Sequence, residues 1–313
     1  MFGASCGFYS GDFKRLILED MPLLKPTLFV TVPRILNRIY DKIAQQAFHA
    51  NPIRTFIFTK AINDKLYHLK EGGTLQHSIY DPVVFRKVRA ALGGRVRLVG
   101  CGSAAVSPDL LNFFRIALSA QVLEGYGLTE STGAVTAAHP WDFSTGNVGS
   151  LVSNAEIKLV SVPEMNYLAS QNKGEIWIRG PCVFGGYYKD EEKTRETITE
   201  DGWLKTGDIG SFDAVGHLSI IDRKKNIFKM AQGEYVAPEK LENVYMKSSF
   251  VSQIFVYGGP LESQLVAIVV PDQEVSIGWA VKRGLLPSDT VIPEPPLPGQ
   301  SMVPFFQIPI PIN

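Results

Sequence analysis

Cysteine is scarce in this sequence: Cys6, Cys101 and Cys182 are the only three in a chain of 313 residues. They lie far apart, form no Cys-x-x-Cys pair and have no histidine at ligand spacing, which excludes a disulfide framework and a cysteine zinc site. We therefore expect reduced, packed thiols in an intracellular protein.

Net charge is also absent, because 31 Lys and Arg residues balance 31 Asp and Glu residues. This balance excludes a general attraction to nucleic acid or to an anionic membrane. No stretch approaches the roughly 20 apolar residues that span a bilayer, and the N-terminus lacks the basic region and apolar core of a signal peptide. We predict a soluble or peripheral chain without an anchor, and the sequence leaves its oligomeric state open.

Apolar residues at helical spacing alternate with short apolar runs in the first part of the chain. Helices are predicted to begin at Pro33, at Asn51, at Tyr80 and, after the cap Ser107, at Pro108. The second is ended by Gly72 and Gly73, and the third runs from Tyr80 to Leu92. Because residues 96–99 form a short apolar strand between two of them, the order predicts an α/β sheet. Such sheets bind ligands in loops beyond the strand ends, so we expect the site in the loops 100–107 and 124–133.

The second part of the sequence is richer in strand signals. Strands are predicted at 155–162, 174–179, 252–257 and 264–270. A strand–turn–strand connection is predicted at 201–221, and Pro238 begins a helix of a small α/β unit. Eight of the twenty prolines fall in the last 27 residues, which predicts an extended, poorly ordered tail over 288–313.

Asp208 follows a Thr-Gly pair at a predicted strand end. Its two carboxylate oxygens can accept hydrogen bonds from two neighbouring hydroxyls, such as those of a ribose. Arg223 lies across the predicted hairpin and can sit beside it. An ordinary turn aspartate and a solvated basic patch explain the same residues, and spacing alone favours that interpretation.

Two sequence blocks resemble the motifs of the adenylate-forming enzymes. The run DGWLKTGDIGSFDAVGHLSIIDRKKNIFK at residues 201–229 resembles their fatty acyl-CoA synthetase motif, and GYGLTE at 125–130 is similar to their GYGxTE motif. The flanks at 80–100 and 231–248 resemble long-chain fatty acid CoA ligases more than other branches. The likeness covers most of the chain ahead of the proline-rich tail.

This resemblance implies an enzyme that activates a long-chain fatty acid with ATP and Mg²⁺, and then transfers the acyl group to CoA. It implies part of a large adenylation domain over 1–222, the start of a small lid domain over 223–287, and a hinge at Lys225. It also implies a location at the endoplasmic reticulum, the mitochondrial outer membrane or the peroxisome.

The resemblance assigns roles to the residues of the second motif. Glu130 would bind Mg²⁺, and Thr129 would donate its hydroxyl to the α-phosphate. Tyr126 would stack on adenine, while Gly125 and Gly127 would let the backbone approach the ligand. Helix-terminal roles for Thr129 and Glu130, and core packing for Tyr126, are the alternatives.

The resemblance to the adenylate-forming enzymes also implies the remaining nucleotide contacts. The backbone of Ser103, Ala104 and Ala105 would form the other wall of the adenine slot, although the family pattern there is Gly-Ala-Pro or Gly-Ala-Ala. Asp208 would bind the ribose hydroxyls, and Arg223 would assist.

Two further positions would serve the second half-reaction. Lys229, carried over as a catalytic residue, and Gly233 would lie on the lid loop that faces the site, where the glycine leaves room for the pantetheine arm of CoA. The family's phosphate loop, the aromatic–His segment of its acyl tunnel and its C-terminal catalytic lysine are not found in this sequence. We therefore predict that the 313-residue chain alone forms acyl-adenylate poorly.

Two other functions remain open. One is an adenylate-forming enzyme for another carboxylate, such as an aryl-CoA ligase or a luciferase-like oxygenase, which the long-chain character of AQGEYVAPEKLEN disfavours. The other is a non-catalytic nucleotide-binding fragment, which the missing phosphate loop and lysine favour for this chain.

Overall fold

The protein combines helices and strands as the predicted α/β class requires. The computed structural model describes residues 3–48, 51–231, 234–259, 264–287 and 307–310. Within these ranges the helices are α1 (Phe13–Arg15), α2 (Met21–Leu24), α3 (Pro33–Phe48), α4 (Pro52–Gly72), α5 (Tyr80–Val83), α6 (Arg86–Ala91), α7 (Pro108–Leu118), α8 (Glu191–Thr197), α9 (Pro238–Tyr245) and α10 (Gln273–Lys282). The strands are β1 (Leu28–Thr31), β2 (Leu98–Cys101), β3 (Gln121–Leu128), β4 (Gly133–Ala137), β5 (Ser150–Leu151), β6 (Glu156–Val160), β7 (Lys173–Arg179), β8 (Leu204–Phe212), β9 (Leu218–Arg223), β10 (Phe228–Lys229), β11 (Tyr235–Val236), β12 (Val251–Tyr257), β13 (Leu265–Pro271) and β14 (Gln307–Ile310).

The chain divides into two compact units, and each is built from several stretches. Unit 1 is Met1–Lys158, Trp177–Thr206 and Phe212–Ser219, and unit 2 is Leu159–Ile176, Gly207–Ser211 and Ile220–Asn313. The strands β6 to β9 follow one another in chain order in one sheet. The division predicted from the sequence, after residue 222 and again after 287, stays a prediction.

Unit 1 is organised around the sheet β1-β2-β3-β4-β5. The first three strands are parallel, with Leu98 opposite both Leu28 and Gln121. The later pairings, β3 with β4 and β4 with β5, are antiparallel. The carboxyl ends of β2 and β3 therefore lie at one edge of this sheet, where an α/β sheet binds its ligands.

The predicted helices follow local signals. In α3, Leu36 and Ile39 are buried and Ile35, Ile43 and Ala47 pack beside them, as the spacing predicts. The Ser107 side chain accepts a hydrogen bond from the Leu110 N–H and so caps α7, and the apolar residues of α7 join the main core of unit 1.

The single helix predicted from Tyr80 to Leu92 is wrong, because the chain forms α5 and α6 with a turn between them. The N–H groups of Val84 and Phe85 both donate to the Tyr80 carbonyl, at 2.8 and 3.0 Å. The carbonyl of Asp81 accepts from the Arg89 guanidinium at 2.7 Å instead. This side-chain bond replaces the backbone bond that a continuous helix would need.

A buried lysine connects three segments of unit 1. Lys65 on α4 is 1% exposed, and its ammonium donates to the carboxylate of Asp81, to the Ile116 carbonyl and to the Ser119 hydroxyl. All three of its N–H donors therefore find acceptors. Burial would raise the pKa of Asp81, but the bonds from Lys65, the His77 N–H and Ser119 lower it below its ordinary value.

The described residues of unit 2 include two apolar clusters. One, on β12 and β13 with the adjoining β10 segment, consists of Met230, Val256, Leu265 and Ala267. Helix α9 packs on β12, where the Glu242 side chain accepts from the Val256 N–H at 2.8 Å. The other cluster joins Val162, Ile209 and Ile227.

Strand β14 lies in the segment predicted to be an extended, poorly ordered tail. It pairs antiparallel with β13, with Ile310 opposite Leu265. Residues 288–306 and 311–313 lie outside the described residues, so the tail as a whole stays a prediction. In the described part of the chain, no helix combines the length and apolar character needed to cross a membrane.

Candidate functional site

The GYGLTE motif lies on a β hairpin of unit 1. The sequence predicted a loop over residues 124–133, and this is wrong: β3 continues to Leu128, a short 3₁₀ turn covers Thr129–Ser131, and β4 begins at Gly133. The Ser131 hydroxyl ties the tip together, because it accepts from the Leu128 N–H at 2.8 Å and lies 2.9 Å from the Gly133 carbonyl. The tip is thus held by its own hydrogen bonds.

Glu130 is fixed from a distant part of the sequence. Its Oε1 accepts a hydrogen bond from the Tyr187 hydroxyl at 2.7 Å, and its carbonyl accepts from the Phe184 N–H at 2.8 Å. The bond to Glu130, together with burial, raises the pKa of Tyr187, so the phenol stays protonated and donates. Sequence reasoning missed Tyr187, because no local signal connects two residues so far apart in the chain.

Gly127 has a structural reason to be glycine. A Cβ at this position would lie 1.9 Å from the Gly133 carbonyl oxygen across the hairpin. The close approach follows from an irregularity in the β3–β4 register between Tyr126 and Gly127. The predicted roles of Gly125, Tyr126 and Gly127 against a nucleotide stay predictions.

The loop of Ser103, Ala104 and Ala105 leaves the carboxyl end of β2 and is exposed. Cys101 and Glu124 are opposite each other in the parallel pairing of β2 and β3, so this loop and the GYGLTE hairpin start from neighbouring positions. Ser103 has φ 71°, a left-handed conformation that favours glycine. Ser103, which stands where the family pattern has glycine, therefore has a backbone conformation that favours glycine.

Asp208 and Arg223 come together in unit 2. The Arg223 Nε lies 3.4 Å from the Asp208 Oδ1, and the aspartate side chain is 5% exposed while that of the arginine is 52% exposed. Asp208 was predicted at a strand end but lies inside β8. Gly207 before it has φ 72° and its carbonyl accepts from the Lys224 N–H at 2.7 Å, so the Thr-Gly pair lies within the strand.

Asp222, which the sequence showed only as part of a charged cluster, organises the segment after β9. It is fully buried and accepts from the N–H groups of Arg223 at 2.6 Å and Glu239 at 3.0 Å. Because Glu239 belongs to the first turn of α9, Asp222 holds that helix end beside Arg223. Burial raises the pKa of Asp222 despite these bonds.

The remaining predicted positions are less constrained. Lys225 is exposed in the turn after β9, and its role as a hinge stays a prediction. Lys229 is exposed on β10, with its ammonium 5.6 Å from the centre of the Tyr235 ring. Gly233 lies outside the described residues.

The structure therefore brings the predicted residues together in two groups. One is the Ser103–Ala105 loop with the hairpin that carries Glu130, and the other is Asp208 with Arg223. These groups belong to different units, and their action on one nucleotide stays a prediction.

The donor set at Glu130 suits a hard cation. Mg²⁺ prefers oxygen ligands and is commonly held by one or two carboxylates together with substrate phosphates and water. A carboxylate that is oriented by a hydrogen bond from a phenol hydroxyl, as Glu130 is by Tyr187, is suited to such a cation. Among the described residues, no group of three or more His, Cys, Asp and Glu side chains is arranged to hold a metal ion.

The family model described as AMP-binding enzyme matches residues 1–188, and the chain belongs to this family. The chain is 50% identical to human long-chain-fatty-acid–CoA ligase 6 over 283 residues, which are 90% of this chain and 40% of that protein.

Other similar proteins agree. The peroxisomal long chain acyl-CoA synthetase 7 of Arabidopsis thaliana is 48% identical over 90% of this chain and 41% of its own length. The solved adenylation domain of the carboxylate reductase from Mycobacterium chelonae matches with a TM-score of 0.69 and 34% identity, over 88% of this chain and 39% of that chain. The chain thus spans about 40% of the length of the ligases it matches.

Proposed function

We propose that this chain is part of a long-chain fatty acid–CoA ligase that uses ATP and forms AMP. The observation that carries the proposal is the 50% identity to human long-chain-fatty-acid–CoA ligase 6 across 90% of this chain. The identity to the adenylation domain of a carboxylate reductase is lower, at 34%, so the likeness to the long-chain fatty acid–CoA ligases is the stronger one. The compartment implied by the resemblance remains a prediction.

The reaction replaces the poor leaving group of a carboxylate with AMP. A carboxylate is a poor electrophile because its carbonyl carbon is electron-rich and oxide would have to leave. In the first step a carboxylate oxygen attacks the α-phosphorus of ATP, and pyrophosphate leaves. In the second step the CoA thiol loses its proton and attacks the acyl carbon, and AMP leaves as the thioester forms.

Residues of unit 1 would serve the phosphate end of the nucleotide. Glu130, oriented by Tyr187, would hold Mg²⁺, and Thr129 would donate its hydroxyl to the α-phosphate. The metal supplies positive charge that offsets repulsion between the two anionic reactants. Tyr126 would stack on adenine, with the backbone of the Ser103–Ala105 loop on the other face.

Residues of unit 2 would serve the sugar and the second step. Asp208 is buried and lies beside Arg223, and its two carboxylate oxygens would accept from both ribose hydroxyls. Lys225 would act as the hinge of the lid, and Lys229 and Gly233 would face the site when CoA attacks. One pocket would then perform both steps through a change in lid position.

The Asp208→Asn variant is expected to bind AMP on the order of 10-fold more weakly than the wild type. The substitution keeps the side-chain shape but removes the charge that strengthens the two hydrogen bonds to ribose. Calorimetric titration of the purified chain with AMP measures the effect. Asp213→Asn, in the exposed turn after β8, is the matched control and should leave AMP affinity unchanged. Equal affinities for all three proteins would remove Asp208 from the nucleotide site.

The Tyr187→Phe variant is expected to weaken binding of ATP in the presence of Mg²⁺ by about 10-fold, because second-shell partners of metal ligands commonly contribute that much. Binding of AMP without metal should change little. Tyr188→Phe is the matched control, since that neighbouring side chain is 88% exposed. Equal losses for ATP with Mg²⁺ and for metal-free AMP would mean that Tyr187 supports the hairpin rather than the metal ligand.

A further inference from the structure

A cleft of about 660 Å³ lies in unit 1, away from the loops described above. Four arginines line it: Arg86, Arg89, Arg95 and Arg97. They belong to the run RKVRAALGGRVR at residues 86–97, which contains five basic residues and no acidic one. Because the whole chain carries no net charge, this concentration of one sign is a local property.

The acidic side chain of the cleft is already neutralised. Asp81 lines the cleft, but its carboxylate is paired with the buried Lys65 ammonium and lies 3.6 Å from Arg89. Within the described residues, the side chains of Arg86, Arg95 and Arg97 form no ion pair with a carboxylate. The cleft therefore presents an excess of positive charge that the described part of the chain does not balance.

The position of the cleft separates it from the candidate nucleotide loops. Arg95 and Arg97 come just before β2, and the lining residues Leu118 and Ser119 come just before β3. Since β2 and β3 are parallel, the cleft lies at the amino edge of the sheet, whereas the Ser103–Ala105 loop leaves its carboxyl edge. The four residues of β2 alone separate the two edges by roughly 10 Å.

We propose that this arginine cleft binds a phosphate-bearing ligand at a site separate from the nucleotide loops. Guanidinium groups present paired N–H donors that match phosphate oxygens, and they remain charged at any physiological pH. A concave surface of one charge sign strengthens the local potential. Its volume suits a group with more than one phosphate, either on a soluble molecule or in the headgroup of an anionic lipid.

The test compares two charge-matched triple variants. Arg86→Gln/Arg95→Gln/Arg97→Gln removes the unpaired charges of the cleft. Arg54→Gln/Lys60→Gln/Lys70→Gln removes three exposed charges from α4 outside it. Tripolyphosphate, added in the presence of saturating AMP, is the soluble probe, and calorimetry gives its affinity. Circular dichroism confirms that each variant is folded.

We expect the cleft variant to bind tripolyphosphate about 10- to 100-fold more weakly, because each lost contact is a charge-assisted hydrogen bond. The α4 variant should stay within about 3-fold of the wild type, as general charge effects are screened by salt. Absence of tripolyphosphate binding to the wild type, or equal losses in both variants, would overturn the proposal.

A vesicle arm distinguishes the two sources of phosphate. Sedimentation with phosphatidylcholine vesicles that contain phosphatidylinositol 4-phosphate, lost in the cleft variant alone, would identify a lipid headgroup as the ligand. Binding of tripolyphosphate without such sedimentation would identify a soluble ligand. Loss of AMP binding in Asp208→Asn is independent of both results, so failure of the nucleotide site and failure of the cleft are distinguishable.

Discussion

Lys65→Met is expected to lower the free energy of unfolding by about 3–5 kcal/mol, which is the usual effect of removing one partner of a buried ion pair. The substitution leaves Asp81 in the interior without its closest cation, and the Ile116 carbonyl loses a donor. Methionine fills a similar volume, so the loss reflects electrostatics and hydrogen bonding rather than a cavity.

Chemical denaturation followed by circular dichroism measures this loss. Lys60→Met is the matched control, because Lys60 lies on the same helix and is exposed; it should change stability by less than about 0.5 kcal/mol. In an Asp81→Asn background, Lys65→Met should have a smaller effect, since no buried charge is left behind. A loss no larger than that of the Lys60 variant would show that the pair contributes little to stability.

Elements with strong local signals were predictable from the sequence. The cap at Ser107, the glycines after α4 and the spacing of apolar residues in α3 each act within a few residues, so they define α3, α4 and α7 without reference to the rest of the fold. The connection at 201–221 was predictable for the same reason, because turn residues separate two runs of strand-forming side chains.

Features that depend on distant residues were not predictable. The continuous helix predicted over 80–92 fails because Arg89 bonds to the Asp81 carbonyl, and the spacing of apolar residues contains no sign of this. The GYGLTE motif reads as a glycine-rich loop, but pairing with β4 makes it a hairpin. In such cases strand pairing overrides the local conformational preference of the residues.

The candidate site shows the same division. The residue types at 130, 208 and 223 could be proposed from motif resemblance, since the motifs are contiguous in sequence. The hydrogen bonds that hold the site segments could not be predicted. Tyr187 donates to Glu130, which lies 57 positions away in the sequence, and Asp222 accepts from an N–H of a helix 17 positions away. Such contacts depend on the assembled fold.

Glu124→Gln is expected to stabilise the protein at alkaline pH by about 3 kcal/mol. Glu124 on β3 is 8% exposed, and burial raises its pKa from 4.5 to about 7, although the Val106 N–H and the charge of Arg115 oppose the rise. The Cys101 thiol, opposite it on β2, is neutral at these pH values because burial and Glu124 raise its pKa to about 12. A rise in this pKa from 4.5 to about 7 corresponds to about 3 kcal/mol.

The sign of the pH dependence follows from the protons bound in each state. Below pH 4.5 Glu124 is protonated in both the folded and the unfolded chain, and it adds no pH dependence there. Between 4.5 and about 7 the unfolded chain loses this proton first, so the stability of the wild type falls as pH rises. Above about 7 both states are ionised and the loss is constant. Glutamine resembles the protonated acid and removes this fall.

Unfolding free energies of the wild type and Glu124→Gln should therefore coincide near pH 4 and separate up to pH 8, with the variant more stable. Glu200→Gln, at an exposed position, is the control and should follow the wild type throughout. Because Arg115 keeps its bonds to the carbonyls of Val122 and Phe143, the variant should leave this cation satisfied. Parallel curves for all three proteins would show that Glu124 is ionised in the fold at neutral pH and that its burial is compensated.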